Sequence, residues 1–347
     1  MKGLPERERS MRIYKNDKVK RQILDSYDVL LSEWGIDVLQ RDVKGRYGTT
    51  HVIEFGDVNK KPLVLFHGVG DDSALMWIYN AKALSEHFHV FAVDTIGGPG
   101  KSIPGEGYNK NFQDVLWLDE LLDSLWLKEV YMLGVSNGGY LTQMYAIMRP
   151  NRVRKGISMA GSIPISTGKS AMSTMMKIFL PEALLPTDQN VIRLIKKMTG
   201  DNYSAFTDND EIFSHFKLLM VGFRRNAMLY HKVQSFERDD IDAIRDKFLY
   251  IAGRKDPFMN LGGGALLEQY HMNTLWIDNA GHGINHERPD IVNQAIIHSI
   301  KICSMIHIII NRISYSATTI SCTQYFHLAY CRHCKCHRCI CNHKWIT

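Results

Sequence analysis

The sequence predicts an α/β fold in which a mostly parallel central sheet is flanked by helices and carries a helical insertion. Short apolar runs alternate with helical patterns along most of the chain, as expected when crossover helices join parallel strands. The run 63–66 is apolar without interruption, which is typical of a strand buried on both faces of a sheet, and 89–93 predicts another buried strand. The alternation stops in the middle of the chain. We therefore expect a core formed by residues 37–162 and 241–302, with a helical cap or lid at 163–240.

A helix and a hairpin precede the alternating part. Residues 1–36 form a helical lead-in, because apolar side chains recur at helical spacing over 17–34. Two alternating runs, 38–43 and 49–55, are joined through two glycines and predict an antiparallel hairpin. We expect the helix to pack on the outside of the core.

The core elements occur in a regular order along the chain. The predicted strands are 63–66, 89–93, 129–133, 156–160, 248–252 and 274–277. The predicted helices are 74–87, 112–126, 140–148, 264–271 and about 288–300. Ligands of parallel sheets bind at the carboxyl ends of the strands, so the functional residues are sought there.

The insertion is rich in Met, Phe and Leu at helical spacing. Most of these side chains are expected to be helix-packing core, and some are expected to face a catalytic pocket as a lid, where methionine suits an adaptable apolar wall. The residues concerned are Met172, Met175, Met176, Phe179 and Leu180, followed by Phe213, Phe216, Leu219, Met220 and Phe223.

Composition excludes some classes of function. The 347 residues are 45% hydrophobic, enough for a large core, and the formal net charge is +6. No acid follows Asp290, whereas the tail holds five basic residues, so the body carries only about +1. We expect no nucleic-acid partner.

No membrane span or secretory signal is predicted. Residues 1–21 are charged throughout, and the longest apolar stretch, 296–310, is interrupted by His298, Lys301 and His307. A cytoplasmic location is the expectation.

All seven cysteines lie after residue 302. By ligand count, the tail cysteines together with His333, His337 and His343 could bind zinc. The pairs Cys331/Cys334 and Cys336/Cys339 are separated by a single residue, however, whereas zinc modules place about a dozen or more between pairs. We therefore expect residues 303–347 to be a disordered or adventitious tail, and we expect no metal site.

The candidate nucleophile is Ser136, which has glycine two places before it and two places after it. A serine between a strand and a helix needs Gly134 and Gly138, because side chains there would collide with the backbone of so tight a turn. Such a turn exposes the hydroxyl. The motif alone is weak, and its strand-turn-helix setting strengthens it.

A serine hydroxyl requires a base, and the base requires a carboxylate partner. His282 lies in a Gly-His-Gly loop just past the last predicted strand, and Asp256 lies just past the strand 248–252. Asp278 is the nearest rival to Asp256. The order Ser136, Asp256, His282 is the order that this strand-turn-helix architecture requires.

The oxyanion of such a reaction needs two aimed donors. We expect them to be the backbone N–H of Asn137, at the start of a helix, and the N–H of Val69. His67 is expected to be structural. Residues 97–102 end in Gly-Lys-Ser, but position 95 is Thr95 where a phosphate-binding loop needs glycine, so we expect an ordinary loop.

These landmarks together resemble the α/β-hydrolase family over residues 50–300. They are, in order, His67-Gly68, Asp94 with Gly97, Gly100 and Ser102, the 134–139 turn, 253–256 and Gly281-His282. Within the family the chain looks most similar to small bacterial carboxylesterases of the naproxen-esterase type. The resemblance implies hydrolysis of a small-molecule carboxylic ester through an acyl-serine intermediate, without metal or organic cofactor. Serine rather than aspartate at position 136 argues against the dehalogenase and epoxide-hydrolase branches.

Two alternatives stay open. The same triad serves carbon–carbon bond or lactone hydrolysis, and a slow-turnover signalling protein could keep the triad for ligand binding. Turnover on short p-nitrophenyl esters, compared with complex formation, separates the enzyme from the signalling protein.

Overall fold

The first buried strand lies at the centre of the sheet. In the structure, a computed structural model that describes residues 11–165, 178–180 and 182–316, the residues Leu63, Val64, Leu65 and Phe66 are all fully buried. Only the backbone is described at residues 183 and 303–316. A strand covered on both faces by helices has this continuous apolar pattern, so the predicted strand is confirmed.

The strands of the described residues form one nine-stranded, mostly parallel sheet. Its strands are β1 (Val38–Gly45), β2 (Gly48–Gly56), β3 (Lys61–Phe66), β4 (Phe88–Val93), β5 (Ile103–Pro104), β6 (Val130–Val135), β7 (Val153–Met159), β8 (Phe248–Gly253) and β9 (Thr274–Ile277). Their order is β1-β2-β4-β3-β6-β7-β8-β9, and β5 pairs with β2 at the side. From β4 through β9 neighbouring strands in this order are parallel. The predicted α/β architecture is confirmed.

Helices cover the sheet and form the insertion. They are α1 (Asp17–Ser32), α2 (Ser73–Met76), α3 (Ala81–Ser85), α4 (Asp114–Ser124), α5 (Asn137–Met148), α6 (Asp188–Met198), α7 (Ser204–Thr207), α8 (Asp210–Gly222), α9 (Arg238–Ile244), α10 (Gly264–Gln269), α11 (Ile284–Glu287) and α12 (Pro289–Ser316). No helix within the described residues is long and apolar enough to cross a bilayer.

The predicted hairpin is confirmed at one edge of the sheet. β1 and β2 pair antiparallel from Val38 opposite Phe55 to Gly45 opposite Gly48. Gly48 has a φ of 131°, and a Cβ there would lie 2.2 Å from the carbonyl oxygen of Ile103, so only glycine fits this turn.

The single helix predicted for 74–87 is wrong. Two short helices, α2 and α3, take its place, with Trp77 and Asn80 between them. Asn80 is fully buried and donates from Nδ2 to Asn293 Oδ1 at 2.8 Å. Side-chain hydrogen bonds to a distant helix thus accompany the break, and such bonds are invisible to helical periodicity.

The closing helix is longer than predicted. α12 begins at Pro289, where proline suits the first helical position, and continues to Ser316 rather than ending near residue 300. The cysteine and histidine cluster at 331–343 lies outside the described residues.

α1 packs against α8 of the insertion. A Cβ on Gly222 would lie 2.3 Å from Val19 Cγ1, so glycine permits this close approach of the two helices. The backbone N–H of Arg224 also donates to Ile13 O at 2.7 Å. The N-terminal helix therefore supports the insertion.

A buried polar contact joins the insertion to the loop after β3. His215 Nε2 on α8 lies 2.8 Å from Asp72 Oδ2, and its Nδ1 lies 3.0 Å from Ser26 Oγ on α1. Both side chains of the His215–Asp72 pair are fully buried. Burial alone would raise the pKa of the Asp72 carboxyl, but His215 together with the Leu75 N–H lowers it below its ordinary value.

Replacing His215 with leucine is expected to lower the free energy of unfolding by about 3–5 kcal/mol, because it leaves the buried Asp72 carboxylate without its imidazole partner. Urea unfolding at pH 7 measures the loss. Lys217→Ala on the same helix removes only the half-exposed pair with Asp188 and should cost at most about 1 kcal/mol.

The effect of His215→Leu should also depend on pH. Because the folded pKa of Asp72 is depressed below 3.8, its stabilising contribution is present above that pH and is lost as pH falls through the folded value. The difference between the two proteins should therefore shrink in acid. An equal difference at pH 7 and at low pH would contradict this account.

Candidate active site

Ser136 stands at the turn between β6 and α5. Its backbone has φ 54° and ψ −111°, a conformation unusual for a residue with a side chain. A Cβ on Gly134 would lie 2.0 Å from the carbonyl carbon of Gly138, and a Cβ on Gly138 would lie 2.2 Å from Phe66 O. The turn thus demands both glycines, as predicted, and Ser136 lies at the carboxyl end of the sheet.

His282 and Asp256 meet at the same edge of the sheet. His282 Nδ1 lies 2.9 Å from Asp256 Oδ2. The Asp256 side chain is fully buried, and its Oδ1 accepts a 2.8 Å hydrogen bond from the Phe258 N–H. The rival Asp278 is 82% exposed and pairs with Arg254 at 3.0 Å. Of the two candidate carboxylates, the structure brings Asp256 to the imidazole.

Ser136 and His282 line one cavity. Among the described side chains, no hydrogen bond joins Ser136 Oγ to the His282 ring. The Phe258 ring packs 4.7 Å from the imidazole, centroid to centroid, and lines the same cavity. Nucleophile and base are often separated in an unliganded site and come together when substrate binds.

The predicted oxyanion donors flank the serine. Asn137 begins α5, where backbone N–H groups have no helical acceptor and where the helix dipole favours negative charge. The 67–70 loop passes close by, since a Cβ on Gly68 would lie 3.5 Å from Ser136 Cβ, and Val69 lines the cavity. The two residues predicted to supply the oxyanion donors thus lie beside Ser136.

His67 has a structural position, as predicted. Its side chain is buried, its Nδ1 donates to Gly68 O at 2.8 Å, and its Nε2 accepts from the Thr95 N–H at 2.9 Å. These two bonds fix the loop after β3 to the loop after β4. His67 therefore holds the Val69 amide in place without lining the cavity.

Glu287 was not identified from the sequence. Its buried carboxylate accepts from the Gly281 N–H at 2.9 Å and from the Gly200 N–H at 2.6 Å, which joins the His282 loop to the insertion. Burial raises the pKa of Glu287, the two amides lower it, and the nearby Asp256 raises it further. No local pattern distinguishes this glutamate from a solvent-exposed helix residue.

The cavity encloses about 220 Å³ beside Ser136. It is mostly apolar and is walled largely by the insertion, including Phe179, Phe216, Leu219, Met220 and Phe223 from the set singled out in the sequence. Of the other five members of that set, Met172, Met175 and Met176 lie outside the described residues, and Leu180 and Phe213 do not line the cavity. An apolar cavity next to a hydroxyl and an imidazole suits an uncharged acyl or alkyl group.

The glycine-rich loop at 97–102 is not a phosphate site. It leads directly into β5, and the Lys101 N–H donates to Asp94 Oδ2 at 2.7 Å. Lys101 Nζ pairs with Asp28 and donates to Gln40 Oε1 at 2.7 Å. Within the described ranges, no group of three or more His, Cys, Asp and Glu side chains is placed to hold a metal ion.

Comparison with known proteins agrees with this architecture. A family model described as alpha/beta hydrolase fold matches residues 61–227. The Bacillus subtilis protein named Carboxylesterase YbfK is 26% identical over 303 residues, which cover 78% of this chain and 91% of that protein. A second Bacillus subtilis protein, named Uncharacterized carboxylesterase nap, is 34% identical over 129 residues, or 37% of this chain and 43% of that protein.

Solved structures show the same fold. The crystal structure of naproxen esterase (carboxylesterase NP) from Bacillus subtilis has a TM-score of 0.68 at 22% identity and covers 83% of this chain and 99% of its own. The crystal structure of carboxylesterase CesB (YbfK) from Bacillus subtilis has a TM-score of 0.66 at 23% identity and covers 82% of this chain and 98% of its own.

Proposed function

We propose that this chain, which belongs to the α/β-hydrolase family, hydrolyses carboxylic esters through an acyl-serine intermediate on Ser136. The observation that carries the proposal is the hydrogen bond between His282 and the buried Asp256, at the cavity that Ser136 also lines. Ester hydrolysis ranks ahead of carbon–carbon bond or lactone hydrolysis because the relative matched over 303 residues, at 26% identity, is named a carboxylesterase.

In the proposed reaction, Ser136 Oγ attacks the ester carbonyl carbon while His282 Nε2 takes the hydroxyl proton. The carbonyl oxygen gains negative charge and is stabilised by the amides of Asn137 and Val69. Asp256 stabilises the imidazolium. His282 then returns the proton to the leaving alcohol, the C–O bond to the alcohol breaks, and the acyl group stays on Ser136.

Water completes the cycle. His282 removes a proton from a water molecule, whose oxygen attacks the acyl carbon and releases the carboxylic acid. The proton returns to Ser136 Oγ. His282 makes each of these proton transfers. The apolar cavity walls favour an uncharged group next to the reacting carbon.

A phosphoryl ester that mimics the acyl group tests this proposal. Diethyl p-nitrophenyl phosphate should phosphorylate Ser136, and intact-mass spectrometry with peptide mapping should find the added diethylphosphoryl group there. The rate at which p-nitrophenyl acetate hydrolysis is lost should equal the rate at which Ser136 is labelled. A chain that is neither labelled nor active on p-nitrophenyl esters of any acyl length would contradict the proposal, and labelling without turnover would favour a signalling protein.

The finer assignments of place and partner are also proposals. We propose a small-molecule ester as the substrate, a cytoplasmic location and no nucleic-acid partner, in keeping with the near-neutral charge of residues 1–302. Cell fractionation tests the location.

A further inference from the structure

One cation lines the cavity beside Ser136. Arg225 begins the short 3₁₀ turn Arg225–Met228 that follows α8 and Phe223. It is the only lysine or arginine among the described lining residues, in a wall that is otherwise mostly apolar. Arg225 is exposed as well as lining the cavity, so its guanidinium is accessible to an entering substrate.

The guanidinium of Arg225 lies over an aromatic ring. Its Cζ lies 5.1 Å from the ring centroid of Phe179, another lining residue. The ring face attracts the cation electrostatically, and the N–H donors of a guanidinium can bind a planar anion through two hydrogen bonds. No side-chain hydrogen bond within the described residues uses these donors.

No carboxylate neutralises Arg225 in the part of the chain that the structure describes. The salt bridges and side-chain hydrogen bonds found there do not include it. Within the described residues, the guanidinium therefore has no carboxylate partner of its own, and partial desolvation in the cavity wall lowers its pKa.

The acid that does line the cavity, Asp71, does not fill this role. Burial raises the pKa of the Asp71 carboxyl, and the charge of Asp72 raises it further, although the Asp72 N–H lowers it. A carboxyl with a raised pKa holds its proton more readily and repels an incoming anion less. Asp71 therefore opposes the binding of an anion at Arg225 less than an ordinary carboxylate would.

We propose that Arg225 binds a carboxylate carried by the substrate, so that the preferred substrates are half-esters of dicarboxylic acids. This inference rests on the proposed ester hydrolysis at Ser136. The ester end lies at Ser136, the methylene chain lies along the apolar wall, and the free carboxylate pairs with the guanidinium. A single carboxylate matches the single cation, whereas a phosphate monoester would bring nearly two negative charges into an apolar cavity.

Paired substrates test the inference. Monomethyl esters of dicarboxylic acids from glutaric to sebacic acid are compared with methyl alkanoates of the same chain length, and acid release is followed by pH-stat. At one or more chain lengths, kcat/KM for the half-ester should exceed that for the neutral ester. Arg225→Gln should lower this half-ester to neutral-ester ratio by about tenfold, the value of one charge-assisted pair. Arg225→Lys should keep part of it.

Arg224→Gln is the matched control. Arg224 precedes Arg225, is exposed and does not line the cavity, so its replacement should leave the ratio unchanged. If the unaltered chain hydrolyses neutral esters but Arg225→Gln leaves the ratio intact, the inference is overturned and the proposed function stands. If neither class of ester is hydrolysed, the proposed function fails and the inference fails with it.

Discussion

Replacing Ser136 with alanine is expected to lower kcat for ester hydrolysis by about 10⁴-fold to 10⁶-fold, because no acyl-enzyme can form without the hydroxyl. The residual rate comes from binding and from the amides of Asn137 and Val69, which remain. Steady-state hydrolysis of p-nitrophenyl acetate measures the loss, and circular dichroism checks that the fold is intact.

Ser85→Ala is the control for the serine substitution. Ser85 Oγ donates to Lys82 O on the surface of α3 and does not line the cavity, so kcat should stay within about twofold. A Ser136→Ala protein that retains more than about a tenth of the activity would remove the nucleophile from the proposed mechanism.

The second large effect is expected for Asp256→Asn, with kcat lowered by about 10³-fold to 10⁴-fold. The Phe258 N–H already donates to Oδ1, so an asparagine would place its oxygen there and turn its NH₂ toward His282 Nδ1. The imidazole would then accept at Nδ1 and carry its proton on Nε2. That tautomer faces Ser136 with a donor and cannot act as its base.

Asp278→Asn provides a direct comparison, because Asp278 also follows a strand yet is exposed and paired with Arg254. Its kcat should change by less than about twofold. If Asp278→Asn lost more activity than Asp256→Asn, Asp278 rather than Asp256 would be the residue that orients His282. The unfolding midpoints of both variants show whether either loss comes from the fold.

The features that the sequence predicts well are those set by neighbouring residues. The continuous burial of Leu63 to Phe66 follows from helices on both faces of the strand. The need for Gly134 and Gly138 follows from the tightness of one turn. Both Asp256 and Asp278 follow a strand, so the strand ends narrow the choice of carboxylate to these two, and the hydrogen bond between His282 and Asp256 agrees with the leading candidate.

The features that the sequence does not predict depend on contacts between distant segments. The break between α2 and α3 accompanies the bond from Asn80 to Asn293, more than two hundred residues away. His215 meets Asp72 only after the insertion has packed onto the core. Arg225 is one basic residue among many along the chain. What distinguishes it is a place in the cavity wall with no carboxylate partner among the described residues, and periodicity and motif spacing do not report either feature.

The backbone at Ser136 has a consequence for how this protein can evolve. A side chain at φ 54° and ψ −111° costs about 1–3 kcal/mol, and glycine would take the same conformation freely. Selection for thermal stability would therefore favour glycine at position 136, whereas selection for catalysis would favour serine. Serine is retained there only where selection acts on catalysis.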